Sequence, residues 1–217
     1  MTDFAAEREA MVERQLRGRG ITEPEILDAF GAVPREAFVG VEVAHLAYGD
    51  HPLPIEANQT ISQPYVVALM IRAAAIKPAD KVLEVGSGSG YAAAVMSRIG
   101  RKVIGVERQQ ELVAIARERM QRLGYDNVEI VQGDGTKGWP GHAPYDVIFA
   151  AASGSHVPKS LVSDLATGGR LVMPVGEPGA VQRLVQLTRR EDGSLQQSDL
   201  GSVRFVPLIG EEGWKDA

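Results

Sequence analysis

Residues 81–90 read KVLEVGSGSG, a short apolar run that ends in three alternating glycines. The pattern predicts a strand at 81–85, then a turn and a helix at about 91–99. Short apolar strands separated by helices are typical of βαβ units in a parallel sheet. The pattern repeats along the chain, with strands predicted at 102–106, 128–132, 146–150 and 170–174, and helices at about 65–75, about 110–123 and from Pro158 onward.

The C-terminal part departs from this alternation. Two strands are expected at 183–188 and 203–208, with Asp192-Gly193 in the connecting turn. We therefore predict an α/β fold, a Rossmann-like doubly wound and mostly parallel sheet with a C-terminal antiparallel ribbon and N-terminal helices.

The N-terminal part is expected to hold two helices and a long irregular segment. The first helix covers 5–17, and Thr22 is expected to cap the second, with Glu25 as the other half of a capping box. Residues 33–63 contain several prolines and no sustained period. Because structureless loops of this length are uncommon inside compact domains and are usually functional, this segment is a candidate site.

Composition excludes several classes of protein. The chain has 217 residues, a net charge of −5 and no cysteine. The negative charge argues against a protein that binds nucleic acid through its phosphates. Without cysteine there are no disulfides, thiolate metal sites or cysteine nucleophile, and the four histidines are too scattered to predict a metal site. The longest apolar run, at 65–71, is far short of the roughly 18 residues that cross a bilayer, and no signal peptide is recognised, so we expect a cytoplasmic protein.

The glycine loop predicts a ligand site at the carboxyl end of the first parallel strand. Gly86 and Gly88 would let a ligand approach the backbone closely. A dinucleotide fingerprint would need a small residue at Tyr91, so an NAD site is disfavoured. Glu107 ends the next strand, where a carboxylate can accept hydrogen bonds from two ribose hydroxyls. Asp134 follows the third strand, where it either reaches a ligand or forms an Asx turn.

The pattern E-x-G-x-G-x-G at 84–90 resembles the S-adenosylmethionine loop of class I methyltransferases. In that family the loop passes the methionine portion and the sugar, the acid at the second strand binds the ribose, and an acid after the third strand reaches the adenine amino group. The resemblance implies these cofactor-binding residues: Glu84, Gly86, Ser87, Gly88, Glu107, Gly133, Asp134 and Gly135, with Gln59 and Thr60 from the preceding loop.

The segment before the glycine loop narrows the resemblance to one family. It contains VPREAF at 33–38, AYGD at 47–50, PLPI at 52–55 and QTISQP at 59–64. Their order and spacing resemble the protein-L-isoaspartate O-methyltransferases, and the resemblance extends from the first helix to Trp214. Two features depart from the family: Asn58 stands where bacterial members usually have glycine, and SGS at 153–155 replaces a small apolar run.

This resemblance implies methyl transfer from S-adenosylmethionine to the free α-carboxylate of L-isoaspartyl residues in damaged peptides and proteins. S-adenosylhomocysteine is the other product, and the ester collapses to a succinimide whose hydrolysis returns some normal aspartate. A carboxylate is already ionised at pH 7, so alignment rather than a general base is required. Ser62 is the candidate catalytic residue, orienting that carboxylate, with capping of the helix near residue 65 as its alternative role. The implied substrate-binding residues are Ile55, Thr60, Ser62, Val206 and Leu208.

The expected organisation is a single methyltransferase domain: 1–64 for the N-terminal helices and active-site loop, 65–175 for the cofactor-binding core, and 176–217 for the C-terminal strands. Expected partners are isoaspartyl peptides and proteins, with no nucleic acid, no membrane and no metal, and a monomer is expected. The alternatives are a class I methyltransferase acting on ordinary aspartate in a dedicated peptide, a small molecule or a nucleic acid, a non-catalytic binding module, and an NAD oxidoreductase.

Overall fold

The computed structural model describes residues 3–215. The helices are α1 (Phe4–Met11), α2 (Pro24–Ala32), α3 (Pro64–Ala74), α4 (Tyr91–Ser97), α5 (Gln110–Leu123) and α6 (Lys159–Asp164). The strands are β1 (Leu53–Pro54), β2 (Thr60–Ile61), β3 (Lys81–Val85), β4 (Lys102–Glu107), β5 (Val128–Gln132), β6 (Tyr145–Ala150), β7 (Leu165–Val175), β8 (Gln182–Arg189) and β9 (Leu195–Val203). No helix of this described part is long and apolar enough to cross a membrane.

Seven strands form one sheet in the order β5-β4-β3-β6-β7-β8-β9. Neighbours from β5 through β7 pair in parallel, whereas β7–β8 and β8–β9 pair antiparallel. The predicted α/β class, parallel core and antiparallel ribbon are therefore confirmed. The central strands are buried on both faces, which explains their continuous apolar runs.

The strand order places a ligand crevice at one end of the sheet. From β3 the chain moves outward to β4 and β5, and then returns to the other side of β3 as β6. At such a reversal the connections diverge, and open α/β sheets bind ligands beyond the carboxyl ends of the strands there. The glycine loop follows β3 at this point.

The predicted strand at 203–208 is wrong. β9 ends at Val203, and residues 206–208 instead run beside Ser153 near the crevice. The Ser153 N–H donates to the Val206 carbonyl, and the Leu208 N–H donates to the Ser153 carbonyl, both at 2.8 Å. The sequence of β9, LQQSDLGSV, is polar and mostly exposed, so an apolar pattern could not identify it. The turn at Asp192-Gly193 is confirmed, with Gly193 at φ 80°.

The predicted capping box at Thr22 is also wrong. Glu23 is the N-cap residue of α2, and Pro24 is its first helical residue. Proline fits the first helical position because it lacks the N–H that would be unpaired there and its φ is already helical. The Thr22 N–H instead donates to the Glu23 carboxylate at 2.9 Å. The N-cap position therefore lies one residue later than the polar pattern indicated.

Candidate active site

A cavity of about 310 Å³ lies at the carboxyl ends of β3, β4 and β6. Its size is at the lower end of the range for small-molecule sites. Three parts of the chain form most of its wall: residues 58–62, the glycine loop with the end of β4, and residues 205–209. The expected site residues that line it are Gln59, Thr60, Ser62, Glu84, Gly86, Ser87, Gly88, Glu107, Gly135, Val206 and Leu208.

The glycine loop needs its glycines for backbone conformation. Gly86 and Gly88 have φ of 79° and 51°, in the left-handed region that side chains disfavour. A Cβ at either position would meet little protein, the nearest atoms being Ala152 Cβ at 3.9 Å and Ile55 Cδ1 at 3.5 Å respectively. The space beside these two glycines is therefore not packed with protein, and Ile55, which does not line the cavity, lies close to Gly88.

Glu107 is held at the cavity wall by backbone groups. One carboxylate oxygen accepts from the Gly88 N–H at 3.0 Å and the other from the Gln109 N–H at 2.9 Å. The side chain is buried, so its orientation is fixed. Because each carboxylate oxygen has a second lone pair, Glu107 can still accept one hydrogen bond at each oxygen.

Glu84 is a second buried carboxylate on the same wall, 1% exposed. Burial and the nearby Glu107 charge raise its pKa well above the ordinary value, against a smaller opposing effect of the Ala93 backbone. Its Oε2 atom and the Ser87 hydroxyl are buried and have no hydrogen-bond partner within residues 3–215. Buried polar atoms normally have partners, so these two atoms are suited to contact a polar ligand.

Ser62 follows β2 and lines the cavity. Gln63 is the N-cap residue of α3, and no side chain caps this helix, which starts at Pro64. The alternative role of Ser62 as a helix cap is therefore wrong. Its carbonyl accepts from Arg35 Nη2 at 2.8 Å, so the backbone at Ser62 is anchored.

The hairpin before Ser62 contains a tight turn. β1 and β2 pair antiparallel, and between them Ala57 and Asn58 have φ of 54° and 55°. Asparagine tolerates this region better than most residues, which explains how Asn58 replaces the glycine usual in the resembling family. An ion pair of 2.9 Å between Glu56 and the buried Arg119 ties the turn to α5.

Asp134 lies in a shallower hollow beside the cavity, together with Gly133. Its Oδ1 accepts from the N–H and hydroxyl of Thr136, and its Oδ2 accepts from the Glu211 N–H at 2.8 Å. Burial alone would raise the pKa of Asp134, but these hydrogen bonds outweigh it and lower the pKa. Asp134 thus forms the Asx-type turn that the sequence allowed and also holds the C-terminal segment.

The sequence model of the family described as protein-L-isoaspartate(D-aspartate) O-methyltransferase matches residues 6–213. The chain belongs to this family. A Pelobacter propionicus relative, named protein-L-isoaspartate O-methyltransferase 2, is 54% identical over 95% of this chain and 92% of its own. A Koribacter versatilis protein-L-isoaspartate O-methyltransferase is 47% identical over 100% of this chain and 97% of its own.

Solved structures of this family have the same fold. One, named protein-L-isoaspartate O-methyltransferase, is 32% identical with a TM-score of 0.85, over 95% of this chain and 67% of that one. A Plasmodium falciparum structure in complex with S-adenosyl-L-homocysteine is 28% identical with a TM-score of 0.80, over 93% and 98% of the two chains.

Two buried side chains that support the site in this family member were missed by sequence reasoning. Arg35 lies within VPREAF and holds the Ser62 carbonyl. Gln182, at the start of β8, accepts from the Phe205 N–H at 2.7 Å and donates to the Phe205 carbonyl at 3.3 Å. A glutamine at a strand start carries no signal of such a contact. An arginine inside a largely apolar segment is a weak signal of such a contact, because a charged side chain is rarely buried unless it has a partner.

Proposed function

We propose that this protein methylates the free α-carboxylate of L-isoaspartyl residues in damaged peptides and proteins, with S-adenosylmethionine as methyl donor, and so initiates repair through a succinimide. Membership of the isoaspartate methyltransferase family supports the reaction. The observation that carries the proposal is the position of Ser62, which lines the same cavity as the glycine loop and Glu107.

The polar groups of the cavity suit the methyl donor. When bound, S-adenosylmethionine supplies a methyl group on a positively charged sulfur, which leaves as a neutral thioether. We propose that Glu107 accepts hydrogen bonds from both ribose hydroxyls, since each of its oxygens has a lone pair left. The remaining proposed contacts are Glu84, Ser87 and the backbone of Gly86 and Gly88, then Gly133, Asp134 and Gly135 for the base, and Gln59 and Thr60 from the hairpin.

Glu84 and Ser87 are proposed to make polar contacts with the donor. Their buried oxygen atoms have no hydrogen-bond partner within residues 3–215. An N–H or O–H group of the ligand could therefore bond to them without breaking an existing hydrogen bond. Asp134 is proposed to accept a hydrogen bond from the adenine amino group, while its existing hydrogen bonds hold the neighbouring backbone in place. Within the described residues, no cluster of three or more His, Asp or Glu side chains is placed to hold a metal ion.

The chain's own contribution is alignment rather than proton transfer. An α-carboxylate is ionised at pH 7, so it needs no base. We propose that Ser62 donates a hydrogen bond to this carboxylate and fixes one of its oxygens for attack, while Thr60 and Ile55 support its approach. Val206 and Leu208 also line the cavity, and this segment is proposed to contact the peptide. Backbone recognition suits an enzyme that accepts a damaged residue in many sequences.

We propose that the chain is a single domain in which each of three segments has its own role. Segment 1–64 supplies the active-site loop, segment 65–175 binds the cofactor, and segment 176–217 contacts the substrate. The three parts of the cavity wall come from these three segments in turn, which supports the division. We further propose that the protein acts in the cytoplasm as a monomer, and the absence of cysteine is compatible with a reducing compartment.

The decisive experiment is incubation with labelled S-adenosylmethionine and paired peptides that differ only in aspartyl or isoaspartyl linkage. The isoaspartyl peptide should accept label. The aspartyl peptide should react about 100-fold more slowly or not at all, because moving one methylene shifts the carboxylate by more than about an ångström. Equal labelling of both peptides would contradict the repair function and favour methylation of ordinary aspartate.

A further inference from the structure

Arg35 is the most deeply buried charged side chain beside the active site, with 0% exposure. Its Nε donates to the Ala47 carbonyl and its Nη2 to the Ser62 carbonyl, both at 2.8 Å. Nη1 has no hydrogen-bond partner within residues 3–215, and no carboxylate in that range forms an ion pair with Arg35. Arg35 does not line the cavity but lies behind its wall.

This arrangement is costly for folding alone. A charge buried without an opposite charge loses its hydration, and only part of that loss is recovered through bonds to neutral carbonyls. A hydrocarbon side chain of similar volume would avoid the cost if Arg35 only filled space. The benefit of a guanidinium must therefore be connected with the groups that it touches.

Two of those groups belong to different sides of the site. Ser62 carries the hydroxyl proposed to orient the substrate carboxylate, and Arg35 binds the carbonyl of that residue. The guanidinium carbon also lies 4.8 Å from the ring centroid of Tyr91, the first residue after the glycine loop. Tyr91 is fixed in turn by edge contacts with Phe38 and Phe30. Arg35 thus joins the Ser62 segment to the beginning of the helix that follows the cofactor loop.

We infer that Arg35 is a positioning residue for methyl transfer, which sets the distance between Ser62 and the glycine loop. This inference rests on the proposed function of Ser62. Arginine suits the role because its planar fork reaches two carbonyls while its flat face stacks on an aromatic ring. Lysine keeps the charge but is a single point donor, so it cannot make the same set of contacts.

The test compares Arg35→Lys and Arg35→Met with the parent protein. Reacting groups displaced by about 1 Å lose up to about 100-fold in rate, so kcat for the isoaspartyl peptide should fall about 10- to 100-fold in both variants. The dissociation constant for S-adenosylhomocysteine, measured by calorimetry, should change by less than about threefold, because the main proposed contact, Glu107, is anchored by Gly88 and Gln109 and not by Arg35. Activities are expressed per folded molecule, as determined by circular dichroism.

Arg170→Met is the matched control. Arg170 also donates to two backbone carbonyls, those of Ala74 and Ala75, and binds Asp80, but it lies where β7 pairs with the early part of β6, away from the cavity. This variant should lose stability and keep its kcat per folded molecule. If Arg170→Met lost kcat as strongly as the Arg35 variants, the effect would be a general one of buried arginines and the inference would fail.

A double-mutant cycle with Ser62→Ala separates positioning from fold support. If Arg35 acts through Ser62, then Arg35→Lys should cost much less activity in the Ser62→Ala background than in the parent. Full additivity of the two losses, an unchanged kcat in Arg35→Lys, or parallel losses of cofactor affinity and kcat would each overturn the inference. A parent protein that fails to methylate the isoaspartyl peptide would instead refute the proposed function, so the two failures are distinguishable.

Discussion

At the scale of single residues, two buried carboxylates on one cavity wall have different surroundings. Glu107 accepts two backbone N–H groups, whereas Glu84 has one oxygen without a partner within residues 3–215. Burial disfavours the charged form of Glu84 and raises its pKa. The charge on Glu84 therefore depends on what enters the cavity, whereas the Glu107 side chain is held in place by its two backbone donors.

Replacing Glu84 with Gln should not reduce the stability of the ligand-free protein at neutral pH. The pKa of Glu84 is higher in the folded protein than in the unfolded chain. The stability that the protonated Glu84 contributes is therefore complete below the unfolded-state pKa of about 4.3 and is lost as the pH rises through the folded-state pKa. Thermal unfolding should thus show a smaller decline in stability for Glu84→Gln than for the parent as the pH is raised above about 4.3.

The same variant tests the role of Glu84 in binding. Loss of one charge-assisted hydrogen bond, worth about 1.5–3 kcal/mol, should weaken S-adenosylhomocysteine at least about tenfold in calorimetry. Unchanged affinity would remove Glu84 from the cofactor contacts, and an identical pH dependence would show that its carboxylate does not titrate differently on folding.

Replacing Ser62 with Ala should lower turnover without destabilising the fold. The hydroxyl neither caps α3 nor makes a hydrogen bond within residues 3–215, so little stability depends on it. A lost substrate hydrogen bond of about 1–3 kcal/mol corresponds to about 5- to 150-fold in rate. Initial rates and melting temperatures are measured together, with Ser163→Ala on the exposed face of α6 as the control. Full activity in Ser62→Ala would contradict the catalytic assignment.

At the scale of elements, the cavity wall at 205–208 is an irregular segment that depends on its neighbours. It pairs with Ser153 on one side, and the buried Gln182 side chain binds both backbone groups of Phe205. In effect the amide of Gln182 substitutes for a strand partner. The start of β8 therefore sets the backbone that faces the cavity.

Gln182→Leu should raise KM for the isoaspartyl peptide several-fold more than it weakens S-adenosylhomocysteine. The Phe205 N–H and carbonyl would lose their partners, at a cost of about 1–3 kcal/mol in stability. Gln186→Leu on the same strand is the matched control, since Gln186 binds the Ala73 carbonyl of α3 instead. Steady-state kinetics with both ligands decide the matter: equal effects of the two variants on KM would show that Gln182 has no special connection with substrate binding at 205–208.

At the scale of the whole molecule, the cavity is a junction of three distant parts of the chain. Residues from the N-terminal hairpin, the parallel core and the C-terminal segment meet there, and each is anchored by its own contact: Glu56 to Arg119, Glu107 to Gly88, and Phe205 to Gln182. A ligand in the cavity therefore contacts all three parts and should stabilise them together.

Saturation with S-adenosylhomocysteine should raise the melting temperature. At a ligand concentration of 100 times the dissociation constant, the gain is about 2.7 kcal/mol. For a domain of this size that corresponds to a shift of about 5–10 °C in differential scanning fluorimetry. Glu107→Ala, compared at the same ligand concentration, should show a smaller shift. No shift in the parent protein at millimolar ligand would contradict the cofactor assignment.

The amino-acid sequence by itself determined the parallel core, because strand burial, helical period and glycine conformation are local properties. The predicted bounds of β3, α5 and β5 coincide with the structure for this reason. Only the tertiary structure decided that the polar β9 completes the ribbon and that 206–208 pairs with Ser153. It also brought Arg35 to the carbonyl of Ser62, 27 positions along the chain. Which carbonyl a buried side chain meets depends on how distant segments pack, and periodicity within a segment carries no information about that packing.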